Sequence, residues 1–115
     1  MTVRELMDLI GARSLNDSAP LDAEITCGYT CDLLSWVLAH GRQGMAWCTV
    51  QTHVNVIAVA VLMEMACVIL VEGVEAEPAS LKKAQEEDMP VLATGKTAYE
   101  VSVLSGQAGV LPPEE

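Results

Sequence analysis

The sequence has no phenylalanine, and aromatic residues make up 3% of its 115 positions. Any core must therefore be built from Val, Leu, Ile, Ala and Met. Aliphatic packing of this kind suits parallel strands, which read as near-continuous apolar runs because helices cover both faces of their sheet. Bases are scarce too: 6 Lys and Arg stand against 16 acids, for a formal net charge of −10. Such a balance repels phosphate backbones and anionic lipid headgroups, so neither nucleic acid nor a membrane is an expected partner. Met1 to Ile10 lacks the basic start and apolar centre of a secretory signal. No internal repeat, low-complexity segment or long linker divides the chain. The expectation is one cytoplasmic domain over residues 1–110, with 111–115 as a flexible acidic tail.

The longest apolar stretch, Val54 to Val71, is interrupted by Asn55 and Glu64. A carboxylate near the centre of a membrane span costs about 2.5–3.5 kcal/mol, and no Lys or Arg flanks this segment closely. Its second half, with Val68, Ile69 and Val71, also fits a strand better than a continued helix. Four cysteines, Cys27, Cys31, Cys48 and Cys67, occur without a secretory context, so disulfides are not expected. Cys48 and Cys67 sit in strand-like runs as small buried hydrophobes. The spacing of Cys27 and Cys31 is not that of the common Cys-x-x-Cys metal pair. Two readings of these thiols stay open: plain reduced side chains, or a soft-ligand set of Cys27, Cys31, Cys48 and His53 that would hold a metal or iron–sulfur group. The first is preferred, and no cofactor is expected.

Turn and cap signals divide the chain into alternating elements. Thr2 and Glu5 form a capping box for a helix to Ile10, closed by Gly11. A loop of Asn16, Asp17, Ser18 and Pro20 follows, then a strand over Glu24–Thr30 and a helix over Leu33–His40 with Asp32 as its N-cap. Next come a strand Met45–Val50, a helix His53–Ala66 capped by Thr52, and a strand Cys67–Val71 that ends at Glu72 and Gly73. Pro78 opens a surface helix to Asp88. Pro90–Thr94 and Lys96–Ser105 make the last strand and helix. Strands and helices linked by short connections predict parallel βαβ units, hence an α/β fold: a three-layer α/β/α sandwich around a mostly parallel sheet.

The helix after Thr52 is apolar on two sides. At 100° per residue Val54, Ala58, Val61 and Met65 form one stripe, and Val56, Val59 and Met63 the opposite one. An outer helix needs one buried face, so the second stripe is covered either by neighbouring helices or by a second copy of the chain, which makes Val54, Ala58, Val61 and Met65 the expected homodimer interface. The N-terminus of the same helix falls at the carboxyl edge of the sheet, where open α/β folds bind ligands. Thr52, His53 and Asn55 there, with Asp32, Gly73 and Thr94 from other strand ends, form the candidate site for a small anionic or nucleotide-like ligand. In the plainer alternative, Thr52 caps its helix and His53 bonds a neighbouring loop.

Catalytic motifs fail on spacing. Gly95, Lys96 and Thr97 suggest a phosphate loop, but Pro90 stands where its first glycine is needed. His40 and His53 have no nucleophile elbow or other local signature beside them. No enzyme is expected.

With these elements placed, Glu24 to Leu104 resembles the DRTGG domain family. The likeness is carried by Ile25, Thr26, Cys27, Gly28 and Tyr29 with Asp32, Leu33, Leu34 and Ser35; then Gln51 to Asn55 with Ala58, Val59 and Ala60; then Pro90, Val91, Leu92 and Thr94. The resemblance implies a fold like the N-terminal domain of HPr kinase/phosphorylase and a non-catalytic regulatory role. Family members occur fused to CBS-domain pyrophosphatases and phosphate acetyltransferases, and small free-standing ones are associated with hydrogenases and sometimes described as iron–sulfur binding. Cys27 and Gly28 stand where the family has paired glycines, and no kinase domain is present, so phosphotransfer is not implied. The expected function is a homodimeric regulatory or protein-interaction module sensing a small anionic ligand. The alternative is an iron–sulfur or redox accessory protein with a hydrogenase or other enzyme as its partner.

Overall fold

The computed structural model describes residues 1–114. Helices α1 (Val3–Leu9), α2 (Leu34–His40), α3 (Val54–Leu62), α4 (Pro78–Glu86) and α5 (Ala98–Gln107) alternate with strands β1 (Arg13–Ser14), β2 (Cys27–Thr30), β3 (Met45–Thr49), β4 (Cys67–Leu70) and β5 (Val91–Ala93). The sheet runs β1-β5-β4-β3-β2. Its last four strands are mutually parallel, and the two-residue β1 is antiparallel to β5. Each parallel strand lies next to its predecessor, so three successive right-handed crossovers place α2, α3 and α4 on one face. The chain then crosses to the other face, where α5 packs beside α1 and over β2 and β3.

Strand alternation sorts the core into two layers. Met45, Trp47, Val68, Leu70 and Val91 face α2, α3 and α4, meeting Val37, Val56, Val59 and Ala84. Ala46, Cys48, Cys67, Ile69 and Leu92 face the other way, toward Val3, Leu6 and Ile10 of α1 and Val101 of α5. Trp47, the bulkiest of these, is fully buried and donates from Nε1 to the Cys31 carbonyl at 2.8 Å. This is the aliphatic α/β/α sandwich expected from the composition.

Helix ends differ from expectation where side chains find better partners. Thr2 with Glu5, and Thr97 with Glu100, do form capping boxes. Asp32 does not cap α2; Leu33 occupies that position without a side-chain cap. Thr52 does not cap α3 either, because His53 does so, its Nδ1 accepting from Asn55 N at 3.1 Å. The helix stops at Leu62, short of Ala66: Glu64 takes φ of 55°, Glu64 N reaches Val61 O, and Met65 N turns back to Ala60 O. These two bonds satisfy the last carbonyls of the helix in a Schellman motif. A segment closed in this way folds inward, which is why Met65 lies in the core with the α2–α4 layer and is no part of an outer stripe.

Candidate functional site

The residues expected to bind a ligand do gather along the carboxyl edge of the sheet, but their polar groups are largely engaged with one another. Asp32 Oδ1 accepts from Thr49 Oγ1 at 2.8 Å and from Val50 N at 2.9 Å, fastening the β2–α2 turn to the end of β3. Thr52 donates from Oγ1 to Glu77 Oε2, and its carbonyl accepts from Ser80 Oγ at 2.6 Å, so the start of α4 covers the turn before α3. What remains there is a cavity of about 10 Å³ lined by Thr52, His53 and Ser80 among others, space for about one water molecule. His53 and Asn55 stay exposed beside it.

Topology explains the closure. Loops after β2, β3 and β4 all leave toward the same face, so no crevice opens at the end of β3. Adjacent loops part only between β4 and β5, the place where such folds open a binding crevice. Here that place is sealed: Glu72 N bonds Lys96 O at 2.8 Å, Gly73 N bonds Thr94 O at 3.1 Å, and Glu72 Oε2 accepts from Ala98 N at 2.9 Å. Glu72 and Gly73 both adopt positive φ, 63° and 73°, to make this turn. An anion-receptive opening at Thr52, the expectation from sequence, is not what the packing leaves.

The thiols are not assembled into a ligand set. Cys27 belongs to the layer facing α2–α4, whereas Cys48 and Cys67 belong to the layer facing α1 and α5. All four are unpaired, and among the described residues no three of His, Cys, Asp and Glu come together as a metal site. Burial pushes the Cys48 thiol up to about 11, with the Asp32 and Glu72 carboxylates adding to the effect and the neighbouring Thr30 side chain opposing it. Burial raises Cys67 to about 12, with a further contribution from Cys48. Both are therefore poor thiolate donors at neutral pH. Neither histidine meets a nucleophile: His40 Nδ1 donates to Trp36 O at 2.9 Å, and His53 Nδ1 serves as the α3 cap.

A different feature of the α2–α3 layer stands out. From Leu33 to Met63 the sequence holds one charged side chain, Arg42, in a chain of net charge −10. This uncharged span supplies both helices, and their outward surfaces are apolar. Leu62 is 70% exposed, Leu33 61% and Trp36 52%, with Leu38 and Ala58 also exposed and Val54 and Val61 half-buried. Trp36 stacks on His40, ring centroids 4.3 Å apart, and donates from Nε1 to the Tyr29 hydroxyl at 2.7 Å, which holds the indole at the β2 edge. Val56 and Val59 fill the core. The outward stripe of α3 is thus Val54, Ala58 and Val61, joined by Leu62, whose exposure could not be read before the end of the helix was known.

No helix is long and apolar enough to cross a membrane among the described residues. No family model matches the sequence, and no curated protein matches it. In structure the chain is similar to the CBS and DRTGG domains of the regulatory region of Clostridium perfringens pyrophosphatase, solved with the activator diadenosine tetraphosphate, at a TM-score of 0.71 and 14% sequence identity. The match covers 96% of this chain and 47% of that one, so the chain spans about half its neighbour's length. The likeness establishes a DRTGG-like fold.

Proposed function

We propose that this chain is a non-catalytic regulatory module that pairs with a second copy of itself through the outer face of α2 and α3 and senses a small ligand. The observation that carries the pairing is the uncharged surface of exposed Leu33, Leu38, Ala58 and Leu62 with half-buried Val54 and Val61, on a protein carrying 16 acids. Two copies of a strongly anionic chain repel one another wherever carboxylates are brought together. Contact through a face without charges avoids that penalty and removes apolar area from water at about 25 cal/mol per Å². Supporting the sensing half is the shared fold with a regulatory region that was solved with a nucleotide activator.

Light scattering coupled to size exclusion tests the pairing. The wild type is expected to elute as a dimer at tens of micromolar. Leu62→Glu is expected to weaken association by about 100-fold, because each copy would bury an unpaired carboxylate, while its thermal midpoint stays within the range of surface substitutions. A wild type that remains monomeric at that concentration refutes the interface.

A further inference from the structure

On the opposite side of the sheet from the proposed dimer face lies a cleft of about 410 Å³ between β2, β3 and α5. Its floor is Gly28, Thr30, Ala46 and Cys48, and one wall is the α5 turn carrying Ser102, Ser105 and Gly106. The segment after α5 makes another wall, pinned where the Leu111 carbonyl accepts from Gly28 N at 2.8 Å. Gly28 is what lets that segment approach: a Cβ there would lie 2.9 Å from Val110 Cγ1. Small residues on α5 above a strand glycine leave space that the sheet's own side chains do not fill.

We propose that this cleft is a binding site for a small, uncharged, largely apolar molecule bearing an N–H or O–H donor. Its size falls within the roughly 300–1,000 Å³ of ordinary small-molecule sites, which combine apolar walls with a few placed polar groups. Among the described residues no Asp, Glu, Lys, Arg or His lines it. The carboxylates that act on Cys48 from nearby, Asp32 and Glu72, make the interior unfavourable for an anion. Hydrogen-bond directions settle the polar complement. Ser102 Oγ spends its proton on Ala98 O and Ser105 Oγ on Val101 O, both at 2.7 Å, so the proton in the 2.7 Å contact between Thr30 and Ser102 comes from Thr30. Three hydroxyls with committed protons offer only lone pairs, and a partner must supply the hydrogen.

This inference names the ligand class for the sensing half of the proposed function and is independent of the dimer half. It also replaces an anion at the α3 turn with a neutral molecule on the far face. The probe is 1-aminoanthracene, uncharged at pH 7 and carrying an N–H donor, with the same ring system bearing a 1-carboxylate as its anionic counterpart. Fluorescence titration is expected to show saturable binding at one probe per chain, with the carboxylate at least about tenfold weaker. Gly106→Leu projects a side chain into open space, since nothing lies within 4 Å of a Cβ built there. Replacing a helical glycine favours folding, so this variant is expected to lose at least about tenfold in probe affinity with an unchanged or higher thermal midpoint. Leu62→Glu is expected to bind the probe like the wild type, whatever its oligomeric state. In amide NMR spectra of the wild type, the probe should shift Gly28, Thr30 and Cys48, a readout that needs no variant. Absence of saturable binding, equal or tighter binding of the carboxylate, undiminished binding by Gly106→Leu, loss of binding in Leu62→Glu, or shifts confined to α2 and α3 would each overturn the assignment.

Discussion

Raising the pH from 9 toward 11 is expected to destabilise the folded domain steeply, and the two thiols beneath α1 and α5 are the reason. Cys48 and Cys67 have ordinary values of 9.0 and are raised in the fold to about 11 and about 12, chiefly by burial. In the unfolded chain they ionise near pH 9, whereas in the native state they keep their protons. Above pH 9 the folded form therefore binds more protons than the unfolded one, and stability falls as pH rises. Their contribution is fully present below pH 9. It is lost up to about 11 for Cys48 and about 12 for Cys67. At about 1.4 kcal/mol for each tenfold change in acidity, the loss by pH 10.5 is on the order of 2 kcal/mol for each thiol, a sizeable share of the 5–15 kcal/mol that stabilises a typical domain. Urea midpoints measured under reducing conditions from pH 8 to 10.5 should show the decline. A Cys48→Ala, Cys67→Ala double variant should show a markedly flatter profile, since it lacks both thiols. Identical slopes would mean that the thiols ionise in place or that local opening exposes them.

The layered fold was legible because β3, β4 and β5 are buried on both sides, which leaves continuous apolar runs such as Cys67–Leu70. Helix starts with reciprocal partners in the sequence, Thr2 with Glu5, were legible for the same local reason. Three things were not. The end of α3 is set by Glu64 at positive φ, with no glycine to announce it, so the apolar periodicity runs on in sequence through Met65 while the chain has already turned into the core. Asp32 and Thr52 look like caps by position, yet each is claimed by a group far along the chain: Asp32 by Thr49 and Val50, Thr52 by Glu77 and Ser80. Pairings of that kind have no local signature. The cleft under α5 is the extreme case, since it exists only where residues 28–30 meet residues 101–112, and its defining trait is the smallness of Gly28, Ser102 and Ser105.

Asn16→Ala is expected to cost about 2–4 kcal/mol, far more than its place in a turn-rich loop suggests. The sequence presents Asn16 with Asp17, Ser18 and Pro20 as a loop, but the side chain is 3% exposed. Strand β1 is only two residues long, and Leu15 N continues its pairing by bonding Val91 O at 2.8 Å. Beyond that point the amide of Asn16 takes over: Nδ2 donates to Met89 O at 2.6 Å, and Oδ1 accepts from Val91 N at 2.9 Å. One side chain thus acts as a further strand residue along β5 and satisfies two backbone groups that would otherwise be buried without partners. Alanine removes both bonds at once, which should lower the thermal midpoint by roughly 10–20 °C for a domain of this size. Aspartate separates the two ends of the amide. It keeps an acceptor for Val91 N but sets an oxygen against Met89 O, and so should destabilise more than alanine at pH 7. Amide exchange at Val91 should lose protection in Asn16→Ala and retain more of it in Asn16→Asp, relative to each variant's global stability. Equal protection in wild type and Asn16→Ala would show that β5 is held by β1 and β4 alone.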